Sequence, residues 1–363
     1  MIRAARRLAM AIALLVAGAP LIARAEPHLA LAQGQKCVAC HVNPTGGGLR
    51  NAFGIAFAQR LMPAVPLASD KPGWSGSVGD FVRLGGDLRH SWSRTEVPRQ
   101  PTQKGWALDE FRLYGDVSLL PGRLGIRFDQ LMAPGSSQAR EAYVHLGTTD
   151  GSWTLKGGQF YLPFGWRLQD NTAFVRQLSG INMTAPDSGI ELGFEHPEWS
   201  AQVALTNGAA NTGTGSGHQL TGQLAWIRPR GRIGVAASST SANAGDRRMA
   251  GVFAGVRTGP LVWLGEVDLV RDEGFAEGRR SLLATLGEVN WGIRRGHNVK
   301  LTLEYFDPDR DVSEDYKSRA SLVYELTPLP FVQLRLGYRR WEGIPQNSFD
   351  NRRTLFLELH AFM

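Results

Sequence analysis

Two thiols and an imidazole stand together at Cys37-Val38-Ala39-Cys40-His41. The spacing C-x-x-C-H is that of covalent c-type haem attachment. In that chemistry the thiols form thioether bonds to the haem vinyl groups, and the adjacent imidazole binds the iron. These are the chain's two cysteines. A disulfide between them is the plainer alternative, since exported cysteines usually pair, but it leaves His41 without a role. Zinc would need a second ligand pair at matching spacing, which is absent. One covalent haem c is therefore expected, held by Cys37, Cys40 and His41, with His41 as the proximal ligand. For the sixth position Met62 is the first candidate. His28, His90 and His145 are alternatives, and an open site is a further one. Methionine would raise the potential, whereas histidine usually holds it lower.

The start of the chain gives an address. Arg3, Arg6 and Arg7 precede an apolar run from Leu8 to Ile22, and Ala23-Arg24-Ala25 follows. This is the pattern of a secretory signal with cleavage before Glu26. The apolar run is too short for a membrane anchor. The formal charge of +7 includes the four arginines of residues 1–25, which carry no acids, so the remainder holds +3. Its charges of both signs are interspersed, which argues against a polyanion-binding surface and against nucleic acid as a partner.

Four regions are expected: a signal peptide at 1–25, a haem segment at 26–63, a linker at 64–79 and a barrel at 80–363. The haem segment predicts a short helix over 49–62, with Phe53, Phe57 and Leu61 on one face. That face has the size and character to cover a porphyrin. The run Gly46-Gly47-Gly48 permits a sharp turn or a close backbone approach. It lacks the Lys-Ser/Thr of a phosphate loop. Residues 64–79 are rich in Pro, Gly and Ser and read as a connection.

From Asp80 the texture changes to alternation of period two. Val299, Leu301, Leu303 and Tyr305 alternate with Lys300, Thr302 and Glu304, and Val332, Leu334, Leu336 and Tyr338 alternate with Gln333, Arg335, Gly337 and Arg339. Alternation alone would also suit a soluble sandwich. The connections decide. Sixteen candidate strands are joined by strictly alternating short turns and long polar loops, the signature of an outer-membrane barrel. The fold expected is all-β, a transmembrane antiparallel barrel of about 16 strands, with outer-membrane lipid around it. Short turns lie on the periplasmic side of such barrels. This places the N-terminal segment on that side or in the lumen.

Arg112, Asp116, Arg127, Asp129, Lys300, Glu304, Arg319, Glu325, Arg335, Arg339 and Glu358 fall at lumen-facing positions. The simplest role for them is a solvated wall with cross-strand ion pairs. His90 and His145 are placed at or near that face. The longest loop, 166–188, follows the aromatic run Phe160–Arg167, which either lines a constriction or forms an interfacial girdle. The final strand ends Phe362-Met363, so the terminal aromatic of many such barrels is here penultimate. A haem segment of this length cannot bury a cofactor by itself. It is expected to dock in the lumen as a plug.

The signal, the single C-x-x-C-H at Cys37, Cys40 and His41 and the barrel together resemble the fused monohaem cytochrome–porins of the bacterial outer membrane. Ala30-Leu31-Ala32-Gln33-Gly34 is loosely similar to that family's lead-in. Asn43–Arg50 departs from its iron oxidases, as a divergent member or a sister group would. The resemblance implies electron transfer from an extracellular donor, such as ferrous iron, to a periplasmic c-type cytochrome. A passive porin with a disulfide-closed plug is the alternative, and a haem-based redox or gas sensor a third.

Overall fold

The computed structural model describes residues 26–208, 217–243, 245–275 and 278–363. The expected signal peptide at 1–25 lies outside them. The barrel strands open with β1 (Ser77–Val78), β2 (Val82–Glu96), β3 (Gln103–Leu120), β4 (Leu124–Ala133), β5 (Gln138–Gly147) and β6 (Trp153–Phe160). They continue with β7 (Asp187–His196), β8 (Trp199–Thr206), β9 (His218–Arg228), β10 (Gly231–Ser241), β11 (Arg247–Thr258) and β12 (Leu261–Asp272). The last are β13 (Arg280–Arg294), β14 (His297–Asp307), β15 (Lys317–Leu329), β16 (Val332–Glu342) and β17 (Arg353–Phe362).

Each strand from β2 to β17 pairs antiparallel with its sequence neighbour, and β17 pairs back onto β2 to close the ring. The closed barrel has 16 strands, and the two-residue β1 adds to β2 as an extra piece. Closure leaves β2 to β17 without an unpaired edge among the described residues, as a lipid-embedded sheet requires. The alternation explains the two faces. On β14, Leu301 and Leu303 are exposed outward, whereas Lys300, Thr302 and Glu304 are buried inward. Outward aliphatic residues and tryptophans recur on every side, including Ile126, Leu192, Val235, Trp263, Leu322 and Leu357. Water would penalise that belt, whereas lipid accommodates it. No described helix is long and apolar enough to cross a membrane.

Residues 26–63 lie inside one end of the barrel. They form α1 (Pro27–Gln33), a single 3₁₀ turn at Cys37–Ala39 and α2 (Ala52–Arg60). Asn51 caps α2 by accepting from the Gly54 amide at 2.9 Å, satisfying one orphan donor of the first turn. The helix is shorter than expected at both ends. The plug is tied to the short-turn end of the barrel. Lys36 Nζ reaches Glu195 Oε2 at 2.7 Å and the Trp199 carbonyl at 2.8 Å. Arg257 and Arg295 donate to the Ala32 and Arg60 carbonyls.

Residues 64–79 are more firmly held than a plain linker. The Ala64 and Val65 amides donate to Thr327 and Pro328 carbonyls at 2.8 and 3.0 Å. Gln59 bridges to Trp74 in both directions, at 2.7 and 2.9 Å. The segment is therefore stitched to the plug and the last turn of the barrel.

The long connection between β6 and β7 also turns inward, from the opposite end. Its residues Leu162, Phe164, Trp166, Leu168, Phe174, Val175, Leu178 and Ile181 are buried in one cluster with inward side chains of β9 to β13. Of the two roles open to the aromatic run, burial in the lumen is the one found. The short α3 (Phe174–Ser179) anchors it: Arg176 pairs with Glu266, and the Phe174 amide donates to Glu304 Oε1 at 2.8 Å. The wall beneath this loop is apolar, with Ala225, Phe253, Leu264, Leu282 and Leu286 pointing inward. The lumen wall is thus charged and ion-paired on one side and largely apolar on the other, where a solvated wall with cross-strand ion pairs was expected.

Candidate functional site

The plug and the inward loop leave a cavity of about 550 Å³ between them. This lies within the range of about 300–1,000 Å³ usual for small-molecule and cofactor sites. Its wall includes Cys37, Cys40 and His41, the glycine run, and Phe53, Phe57 and Leu61 of the α2 face. Phe53 and Leu61 are 51% and 54% exposed, an unusual state for large apolar side chains turned into a lumen rather than into lipid.

Local backbone explains how Cys37, Cys40 and His41 come together. The 3₁₀ turn brings the Cys40 and His41 amides to the Cys37 carbonyl at 3.1 and 3.0 Å. His41 then bridges to Arg50 across the glycine run. Gly46 has φ +90°, and a Cβ there would press on Cys37 Cβ and Sγ at 3.1 and 3.3 Å. Gly54 lets α2 lie directly on the Cys40 carbonyl, where any side chain would collide. Asn51 Nδ2 completes the join by donating to the Val38 and Ala39 carbonyls at 3.0 and 3.1 Å.

Electrostatics suit a neutral imidazole. Burial, with Arg50 and Arg127 nearby, pushes His41 down to about 3, and its Nδ1 makes no hydrogen bond. A neutral ring is the form that ligates a metal. Burial raises the Cys40 thiol, opposed by Arg50. Both thiols are free and partly exposed. Arg232 Nη1 lies 3.7 Å from Cys37 Sγ.

The donor set fits a haem on a second count. Haem carries carboxylate side chains as well as iron. Arg50, Arg232 and Arg339 line the cavity, and each has a buried guanidinium nitrogen (Nη1, Nε and Nε, respectively) with no hydrogen-bond partner. Buried donors of this kind are costly unless a partner completes them. Arg50 is itself fixed by its position over the Phe362 ring, 4.4 Å from the centroid. The penultimate aromatic thus faces the plug instead of lipid.

The sixth-ligand candidates read from the sequence lie apart from one another. Met62 is buried against Phe57, Ala58 and Phe362 and does not line the cavity. His28 is buried beside Glu26, its Nδ1 3.3 Å from Oε2. His90 points outward, stacked on the exposed Trp106 at 5.3 Å, one residue out of phase with the lumen face where it was expected. His145 does face inward, 3.0 Å from Asp116. Two side chains on the cavity wall were missed: His360 and Met183. Glu26, His28 and Glu325 also converge with ligand atoms within 4.8 Å, but Lys300 Nζ already lies between the carboxylates, at 2.8 and 3.0 Å.

The inward wall is otherwise covered. Arg127, Asp129, Gln219, Thr221, Asp268 and Glu325 are at 0% exposure. Asn43 joins the plug to this wall, donating to Glu141 at 3.2 Å and accepting from Lys156 at 3.0 Å.

No protein-family model matches the sequence, and no curated protein does. Solved structures do match in fold. OmpT, an outer membrane protein of Vibrio cholerae, aligns with a TM-score of 0.61 at 8% identity, over 78% of this chain and 99% of that one. An anion-selective porin from Comamonas acidovorans gives 0.60 at 12%, over 78% and 99%. The outer membrane channel DcaP of Acinetobacter baumannii gives 0.60 at 13%, over 78% and 97%. The chain has the fold of outer-membrane porins.

Proposed function

We propose that this chain resides in a bacterial outer membrane and carries one c-type haem in the lumen of its barrel, passing electrons between an extracellular donor and a periplasmic c-type cytochrome. The observation that carries this reading is the placement of Cys37, Cys40 and His41 on a cavity in the middle of an otherwise covered lumen. An open pore would leave its inward side chains wetted, and here the charged wall lies under the plug and the loop.

When bound, haem supplies a one-electron iron centre. The residues do the rest. Cys37 and Cys40 tether the macrocycle, and His41 offers a neutral imidazole. Phe53, Phe57 and Leu61 exclude water from one side. Arg50, Arg232 and Arg339 offer donors to carboxylates. With short turns toward the periplasm, the plug end meets periplasmic cytochromes and the long-loop end meets the outside. Ferrous iron as donor rests on the resemblance to cytochrome–porins and on no residue of the site.

The likeness to porins favours a second reading, a passive channel with a structural plug. Reconstitution separates the two. Proteoliposomes with entrapped oxidised cytochrome c should show its reduction on external addition of ferrous iron, with low ion conductance across a planar bilayer. Free conductance and no covalent haem would establish the channel instead.

A further inference from the structure

This inference rests on the haem reading above and concerns the iron's remaining axial position. The side chain needed is an imidazole or a thioether on the cavity wall, not already committed elsewhere. Among the described residues lining the cavity, apart from His41, there is one histidine, His360, and one methionine, Met183.

His360 is committed on both ring nitrogens. Nδ1 lies 3.2 Å from Gln333 Oε1 and Nε2 2.6 Å from Asp87 Oδ1. Ligation through either nitrogen would strand a buried polar partner, and Asp87 would be left charged in the wall. Met183 has no such tie. Its methyl group lies 3.1 Å from where a Cβ on Gly47 would stand, so the side chain reaches the glycine run that follows His41. The neighbouring Gly46 is the residue in close approach to Cys37. The backbone of Met183 is fixed: its amide donates to Asn171 Oδ1 at 3.1 Å, and Leu178 and Ile181 just before it are buried in the apolar wall cluster.

We propose that Met183 supplies the second axial ligand to the iron. The ligand then comes from the loop that enters at the long-loop end, whereas His41 comes from the plug at the short-turn end. The iron would join the two inserts that fill the barrel. A thioether ligand also sets a higher potential than a second imidazole would.

The test uses holoprotein made with haem-ligation machinery and compares wild type with Met183→Leu, Met62→Leu and Met183→His. Leucine is close to methionine in volume, so folding should persist. Expected for Met183→Leu are loss of the far-red thioether band of the ferric form, carbon monoxide binding by the ferrous form and a lower midpoint potential. Met62→Leu should keep the wild-type spectrum. Met183→His should show a bis-imidazole spectrum, a signature that arises only if position 183 reaches the iron. A haem-loaded Met183→Leu that keeps the band and refuses carbon monoxide overturns the proposal, as does loss of the band in Met62→Leu instead. Absence of haem from every protein, wild type included, overturns the reading beneath it.

Discussion

Arg167 donates from Nη1 to the carbonyl oxygen of Gly46 at 2.7 Å. One residue belongs to the loop that enters the barrel from the long-loop end and the other to the segment that carries Cys37 and Cys40. The two inserts therefore touch through a charge-assisted bond, which is worth about 1.5–3 kcal/mol where it is sheltered. Replacing Arg167 with Ala should loosen the loop. Protease cleavage within 161–186 should accelerate on the order of tenfold, the equivalent of about 1.4 kcal/mol. An unchanged cleavage rate would mean that the apolar cluster alone holds the loop.

Trp166 is one of two tryptophans in that cluster, and it also donates from Nε1 to the Gly265 carbonyl at 3.0 Å. Trp166→Ala would open a void against Phe253 and the wall. The cost is about 3–5 kcal/mol, expected as a lower transition temperature in near-ultraviolet circular dichroism. Retention of the wild-type temperature would show that the loop is not part of the cooperative structure.

Much of this architecture is legible in the sequence, and the reasons for the rest are physical. Leu301 and Leu303 against Lys300 and Glu304 announce a two-faced strand, because one face meets lipid and the other does not. The barrel, its turns and the charged wall follow from that contrast. The apolar wall does not. On β11, Met249 and Phe253 face inward while Val252 and Val256 face outward, so polarity no longer marks the faces. The cysteines and His41 are adjacent in sequence and needed only their motif. Met183 has no spacing relation to them and arrives through a loop whose inward fold is tertiary. Met62, nearer in sequence, is claimed by Phe362 from the far end of the chain.

Gly54 is a position where the local rule is strict. Any Cβ there collides with the Cys40 carbonyl. Gly54→Ala should push α2 off the cysteine turn at a cost of about 1–3 kcal/mol. Hydrogen exchange at residues 37–42 should quicken, with strand amides of β14 unaffected. Equal protection in both proteins would contradict the contact.

Asp170 anchors the inward loop to Arg319 and Arg339, with 3.0 Å to each. Burial works to raise its carboxyl, but the two guanidinium groups overcome it and hold the group below its ordinary value of 3.8. A carboxyl lowered by folding stabilises fully above the ordinary value and loses that stabilisation as pH falls below it. Protease access to the loop should therefore be flat at neutral pH and rise as the pH drops below about 4. Asp170→Asn should show raised access at neutral pH and little further change in acid. A wild-type profile in the variant would remove Asp170 from the anchor.

The most direct measurement is the intact mass of the purified mature chain after denaturation, from cells able to ligate haem, beside a Cys37→Ser, Cys40→Ser variant. The expected result is one haem's mass on the wild type and none on the variant, with the pigment staying on the wild-type polypeptide in a denaturing gel. A wild-type mass equal to the bare polypeptide, or lower by the two hydrogens lost in forming a disulfide, would contradict the haem-bearing barrel outright.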